Sequence, residues 1–302
     1  MSPNTAQSVS RRLLNHSKAT GRAHGELLHH FLLERFLYRL GQSRFRDRFV
    51  LKGALLLHLW QEVPARFTRD IDLRGSLPSD PETVAAAIRE VCRTEAPDDG
   101  ATFEPDSVVA DRIVTDGAYE GVRVRFLGFL GTARVRMQID IGFGDPVVPC
   151  PAEASYPVLL GHPPPALLTY TRESALAEKL SVMLRLGRDN SRMKDYYDVW
   201  LLSQSGGFAG ATLLEAARQC FVARGLEPAA DPAGVSSEFG RSPDKVAQWA
   251  GFVRRTRAAD APADLDEVVT AVREFMGPVL KAVAAGEPFA AMWHPPGPWQ
   301  AT

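Results

Sequence analysis

The sequence has few cysteines, no long hydrophobic run and almost no net charge, and each shortage excludes a class of protein. Cys92, Cys150 and Cys220 are the only thiols in 302 residues and form no Cys-x-x-Cys pair. A disulfide framework and a zinc site are therefore not expected, and buried thiols are the default reading. No apolar stretch approaches the roughly 20 residues that span a bilayer, and Ser2 to Ser10 lack the apolar core of a signal peptide. We expect a cytoplasmic protein with no membrane contact. Repeats of solenoid length and low-complexity tracts are absent. The seven histidines, His29-His30 among them, pair with neither cysteines nor one another at a ligand spacing and read as surface or packing residues.

What is present is a globular composition, 45% apolar and 24% charged, in a chain long enough for two domains. The net charge of −1 conceals an asymmetry. Between residues 11 and 52 stand Arg11, Arg12, Lys18, Arg22, Arg35, Arg39, Arg44, Arg46, Arg48 and Lys52, against Glu26, Glu34 and Asp47. Such a region suits nucleic-acid phosphates and equally suits a solvated helical face.

Apolar spacing predicts helical structure over about residues 8–39, with Leu27, Leu28, Phe31, Leu32, Phe36 and Leu40 recurring at three- and four-residue spacing, and a helix over 81–94 with Pro81 in its first turn. From 103 to 143 the period falls to two. In Arg134-Val135-Arg136-Met137-Gln138-Ile139-Asp140-Ile141 the apolar residues share one face and Asp140 lies on the polar one. Prolines crowd residues 146–165, where we place the boundary between domains 1–160 and 161–302. Helices are expected over about 172–186, 193–202, 213–223, 243–254 and 265–284, a mobile loop over 225–240, and an irregular tail over 288–302.

The organising stretch is Phe49 to Arg74. In Arg66-Phe67-Thr68-Arg69-Asp70-Ile71-Asp72-Leu73, strand alternation sends Asp70 and Asp72 to one face and Ile71 and Leu73 to the other. Paired carboxylates in a thiol-free setting suit Mg²⁺ or Mn²⁺, although two solvated acids at a strand end would look the same. Upstream, an apolar strand, the turn Lys52-Gly53-Ala54 and an apolar helical run form a phosphate-binding arrangement.

This constellation resembles the nucleotidyltransferase fold and, more closely, the AbiEii/MenT family of toxin nucleotidyltransferases, with their Lys-Gly-Gly-like turn and Arg-x-(Ser/Thr)-x-Asp-Ile-Asp-Leu core. Here the turn reads Gly53-Ala54-Leu55, without the second glycine or a hydroxyl residue, which leaves backbone contacts to phosphate. Farther on, Ala177-Glu178-Lys179-Leu180 and Arg192-Met193-Lys194-Asp195-Tyr196-Tyr197-Asp198 resemble the family's Glu-Lys helix and its Arg-x-Lys-Asp-x-x-Asp helix. Read alone, Arg192 with Asp195 and Lys194 with Asp198 are surface ion pairs.

The resemblance implies an α+β fold, a nucleotidyltransferase-type mixed sheet with flanking helices followed by a mainly α-helical C-terminal domain that contributes Lys179 and Asp195 to the site. It implies Asp70 and Asp72 as metal ligands with Asp140 a third, and Lys179 as a cation for the triphosphate. Asp195 is implied to be catalytic, with Arg192, Lys194 and Asp198 as its orienters. Lys52, Gly53, Arg66 and Thr68 are implied on the phosphates, and Thr68 as a site of regulatory phosphorylation. The implied cofactor is Mg²⁺ or Mn²⁺, the implied substrate an NTP, and the implied acceptor tRNA, at its 3′ end, or another RNA. A toxin role opposed by a cognate antitoxin follows from the same resemblance. Transfer to a small molecule or protein hydroxyl, a metal-dependent glycosyltransferase, and a non-catalytic nucleotide- or RNA-binding relative are the alternatives.

Overall fold

The protein is seen here as a computed structural model that describes residues 3–61, 68–115, 119–256, 258 and 260–302. The chain divides into two compact units, one of Met1–Gly144 with Ala152–Thr169 and the other of Asp145–Pro151 with Tyr170–Thr302. Proline-rich residues 146–165 thus serve both. No helix is long and apolar enough to cross a membrane among the described residues.

The first unit opens with two helices over the region expected to be helical, α1 (Pro3–Thr20) and α2 (His24–Gln42). Gly21 sits between them at φ +69°, a conformation that no right-handed helix accommodates. The elements that follow are β1 (Phe49–Lys52), α3 (Leu56–Trp60), β2 (Asp70–Gly75), α4 (Pro81–Arg93) and β3 (Ala101–Thr115). Then come β4 (Tyr119–Leu130), β5 (Ala133–Phe143), β6 (Ala152–Ser155) and β7 (Ala166–Thr169). They form one sheet in the order β3-β4-β5-β2-β1-β7-β6, parallel at β2/β5 and β1/β7 and antiparallel elsewhere. Asp80 caps α4 by accepting the Thr83 N–H at 2.8 Å, with Pro81 at the first helical position.

Ile71, Leu73, Val124, Ile139 and Ile141 are all but inaccessible to solvent. Phe36 of α2 packs on the same layer, its ring 5.5 Å from Phe103 and 4.9 Å from Phe126. Burying a side chain of this kind contributes on the order of 2 kcal/mol, so the apolar face fixes the register and leaves the carboxylates of β2 and β5 on the other. Part of the basic N-terminal stretch is structural. Arg35 and Arg39 are buried, and Arg39 donates to both oxygens of Asp99 at 3.0 and 3.2 Å. Arg44 and Arg46 pair with Glu90 and Glu153.

The second unit contains α5 (Arg172–Leu186), α6 (Met193–Ser205), β8 (Phe208–Ala209), α7 (Gly210–Ala223), α8 (Ser237–Arg241), α9 (Pro243–Thr256), α10 (Leu265–Ala285), β9 (Ala291–Trp293) and β10 (Trp299–Ala301). One expectation fails here and a second fails in part. The tail is ordered, because β8, β9 and β10 form a small sheet and the buried Trp293 donates to the Ser203 carbonyl at 2.8 Å. The second half of the expected loop 225–240 is packed, since Gly234 lies against the Met183 carbonyl and accepts a 2.6 Å hydrogen bond from the Tyr196 hydroxyl, whereas residues 225–231 form an exposed loop. Cys92 and Cys220 are buried as expected, whereas Cys150 is exposed.

A buried polar cluster underlies α2. His30 stacks on His58 of α3 at 4.7 Å, and its Nε2 lies 3.5 Å from Glu34 Oε1, which also accepts the Leu159 N–H at 3.0 Å. Burial pushes the Glu34 carboxyl up to about 8 from 4.5, and burial lowers His30 well below 6.5. The folded state therefore binds Glu34's proton between pH 4.5 and 8 while the unfolded chain does not. That stabilisation is complete at low pH and is lost as pH rises through 8. His30 acts oppositely, but only below 6.5, so between pH 6.5 and 8 Glu34 dominates. We predict that stability falls by about 2 kcal/mol over that interval, at about 1.4 kcal/mol per unit for one proton. Glu34→Gln should flatten the decline in chemical-denaturation curves; an equal decline in that variant contradicts the assignment.

Candidate active site

The polar face of the first unit's sheet carries a row of charges set by strand register. Lys52 of β1 lies opposite Asp72 of β2, Asp72 beside Asp140 of β5, and Asp140 opposite Arg123 of β4. Asp70 occupies the neighbouring position on β2, beside Gln138. Asp70, Asp72 and Asp140 are all half-buried.

The chain turns immediately after Lys52. Gly53 adopts φ +75°, and a Cβ built there would stand 2.1 Å from Asp72 Oδ2 and 2.7 Å from its Cγ. Glycine is thus required twice, for the backbone conformation and for the carboxylate that rests against its Cα. The expected helical run is short: a 3₁₀ turn, Gly53–Leu55, leads into the five-residue α3. A five-residue helix contributes little dipole, so an anion at this corner would meet chiefly the N–H groups of the turn.

Asp140 is engaged. Arg123 donates from Nε and Nη2 to its two oxygens at 2.8 and 2.7 Å, a bidentate geometry of high specificity. These hydrogen bonds raise the Arg123 pKa, with the charges of Asp140, Asp70 and Asp72 adding to the effect against some desolvation. Thr68 precedes β2, which begins at Asp70, and its hydroxyl accepts the Asp70 N–H at 3.4 Å rather than lying on the strand face. Arg66 lies outside the described residues.

Among the described residues no three His, Cys, Asp or Glu side chains are grouped so as to hold a metal by themselves. The donors still fit a hard divalent cation. Mg²⁺ is commonly held by one or two carboxylates, with substrate phosphates and water completing the shell. Asp70 and Asp72 supply such a pair, and the bare Cα of Gly53 leaves Asp72 its room.

In the second unit α5 and α6 bring Lys179, Asp195 and Asp198 together. Lys179 Nζ donates to Asp198 Oδ2 at 2.7 Å and lies 3.4 Å from Asp195 Oδ1, while Arg192 Nε donates to Asp195 Oδ2 at 2.7 Å. The two acids are essentially inaccessible and the lysine is 15% exposed. The expected Arg192–Asp195 pair is present. The expected Lys194–Asp198 pair is not, because Asp198 points into the helix packing and is taken by Lys179 while Lys194 is exposed. Asn190 orders the start of α6 by accepting the Arg192 N–H at 2.9 Å.

Sequence reasoning missed two groups. Arg123 lies on the polar face of β4, and continuing the alternation through Arg123-Val124-Arg125 could have found it. Arg224 is buried against Asp145 and Glu178, each at 3.1 Å, and donates to the Ser181 hydroxyl at 2.8 Å. Desolvation lowers its pKa, but the charges of Glu178 and Asp145 outweigh that and raise it. Arg224 anchors the helix that carries Lys179, and nothing in its sequence neighbourhood marks it.

A turn whose glycine meets a carboxylate, with a second acid two residues back on the same strand, forms one corner of a mixed sheet. The sequence model for "Nucleotidyl transferase AbiEii toxin, Type IV TA system" matches residues 35–271, and the chain belongs to that family. It is thereby a nucleotidyltransferase of the toxin–antitoxin kind. No curated protein sequence matches. Among solved structures it is similar to MenT4, a nucleotidyltransferase toxin from Mycobacterium tuberculosis, at 20% identity and TM-score 0.49 over 94% of this chain and 99% of that one. It is also similar to a nucleotidyltransferase from H. pylori, at 14% identity and TM-score 0.45 over 87% and 96%. JHP933 from Helicobacter pylori gives 15% identity and TM-score 0.41 over 87% and 94%.

Gly53→Ala tests the corner. The φ penalty is about 1–2 kcal/mol, and the methyl must push Asp72 aside, so we predict a folded protein that melts a few degrees lower and transfers nucleotide at under a tenth of the wild-type rate. Wild-type turnover in this variant would show that Asp72 can leave the turn without consequence.

Proposed function

We propose that the chain transfers a nucleoside monophosphate from an NTP to RNA, at the 3′ end of tRNA, and blocks translation until its antitoxin intervenes. The observation that carries this reading is the Asp72 carboxylate seated on the Gly53 turn beside Asp70, in a chain of the AbiEii family. The RNA 3′-hydroxyl oxygen bonds to the α-phosphorus, the bond to the β-phosphate oxygen breaks, pyrophosphate leaves and the hydroxyl proton passes to water.

In this reading Asp70 and Asp72 hold Mg²⁺ or Mn²⁺, which neutralises phosphate charge and aligns attacker and leaving group when bound. Asp140 contributes as a third carboxylate whose charge Arg123 balances in the absence of substrate. Lys52 and the N–H groups of the Gly53 turn receive phosphate oxygens, as does Arg66. Lys179 supplies a compact cation, Asp195 and Asp198 fix its ammonium, and Arg192 fixes Asp195, with Lys194 placed toward phosphate. The cytoplasm, where tRNA and NTP are available, is the compartment this activity requires.

Incubation of the protein with each labelled NTP and total RNA tests the proposal. Label in tRNA is expected; label only in a protein or a small molecule overturns the acceptor. Asp70→Asn, Asp72→Asn and Lys179→Met should each lower transfer at least a hundredfold, a loss of about 3 kcal/mol or more from the transition state; the two aspartate variants should melt within a few degrees of wild type and Lys179→Met well below it, because that change strips the cation from two inaccessible carboxylates. Lys179→Met that turns over normally would reduce Lys179 to a structural partner of the two aspartates.

Thr68 is the proposed control point. A phosphate there would bring nearly two negative charges beside the backbone of Asp70, repelling the NTP or capturing its metal. Mass spectrometry of protein co-expressed with the antitoxin should find phosphothreonine at position 68, and Thr68→Glu should be inactive. An unmodified Thr68 together with an active Glu variant contradicts this.

A further inference from the structure

The first unit contains a cleft beside Asp70, of about 840 Å³, that the proposed chemistry does not use. Its origin is topological. β2 begins at Asp70 opposite Gln138, so the β5 residues before Gln138 have no partner in β2. Farther along, the β3–β4 register breaks between Glu104 and Val109, and there the Leu127 N–H is met by the Ser107 hydroxyl at 2.9 Å. Bulges of this kind re-aim side chains and open the sheet beside functional sites.

The cleft's lining has two characters. Val109 and Leu127 give an apolar floor, and Arg69, Arg125 and Arg136 stand exposed around it. Arg125 also contacts Asp111, but both side chains are at least half exposed, so solvent screens that pair and it exchanges readily for a phosphate. Among the charged lining residues Asp70 is the single acid. It faces the corner already described.

We propose that this cleft receives the 3′-terminal nucleotides of the acceptor RNA, bases against the apolar floor and phosphates against Arg69, Arg125 and Arg136. The assignment rests on the reading of Asp70 and Asp72 as the centre of nucleotidyl transfer. In-line displacement requires the attacking hydroxyl and the leaving pyrophosphate on opposite sides of the α-phosphorus. The Gly53 turn, where phosphates are held, lies on the β1 side of β2; the cleft opens on the β5 side. An acceptor lying in the cleft therefore arrives from the flank that attack demands. A base needs an apolar surface and a backbone needs cations, and the cleft offers both within reach of Asp70.

The double variant Arg125→Gln/Arg136→Gln of the full chain tests this, since both side chains are exposed and their loss leaves the fold intact. Binding of a single-stranded RNA with a 3′-hydroxyl is followed by fluorescence anisotropy across a salt series, and KM for RNA and for NTP is measured separately. Roughly tenfold weaker RNA binding is expected, with a log–log salt slope shallower by about 1.4 for two lost phosphate contacts. KM for NTP should stay within twofold. RNA affinity and salt slope equal to wild type overturn the proposal, and so does a parallel rise in KM for NTP, which makes the cleft a nucleotide pocket. The binding arm decides the cleft even if wild-type protein labels no RNA, an outcome that instead removes the proposed acceptor.

Discussion

The contact between the Asp72 carboxylate and the bare Cα of Gly53 constrains everything around it. A carboxylate 2.1 Å from where a Cβ would stand leaves no substitute for glycine, and the +75° backbone that brings the turn there costs any other residue about 1–2 kcal/mol more. In exchange, backbone N–H groups that attract phosphate stand against a carboxylate that attracts a cation. The apolar face keeps this arrangement in place. Ile71 and Leu73 are wholly buried, and a slip of one residue would expose both and bury the acids.

The second unit solves a different electrostatic problem. Lys179 is held by Asp195 and Asp198. Two largely dehydrated carboxylates carry more negative charge than one ammonium neutralises, and Arg192 on Asp195 restores the balance. Arg224 bridges Glu178 and Asp145. Lys179 and Glu178 are sequence neighbours, each tied to a different buried ion network, so rotation of α5 is opposed from both sides.

How much of this could be read in the sequence depended on the range of the interaction responsible. Strand alternation is local, and it placed Asp70, Asp72 and Asp140 on one face. The α+β class came with the family resemblance, and the runs of period two between runs of period 3.6 agree with it. Partner choice is not local. Spacing suggested Lys194 for Asp198, but the packing of α6 turns Asp198 inward to Lys179. Arg123 was invisible as a partner of Asp140 until the β4/β5 register aligned them. The three-residue strands β9 and β10 are too short to show a period, which is why the tail read as irregular. The break at Gly21 was legible in principle, since a glycine between two apolar stripes is a helix-stop signal.

The account turns on Asp70 and Asp72 acting as one cation site completed by the nucleotide. Mn²⁺ titrated into the full chain and followed by electron paramagnetic resonance measures this directly. The account predicts weak binding to the protein alone, at least tenfold tighter binding when a non-hydrolysable NTP is present, and loss of that enhancement in both Asp70→Asn and Asp72→Asn. Equal Mn²⁺ binding by wild type and both variants in the presence of the nucleotide would contradict it.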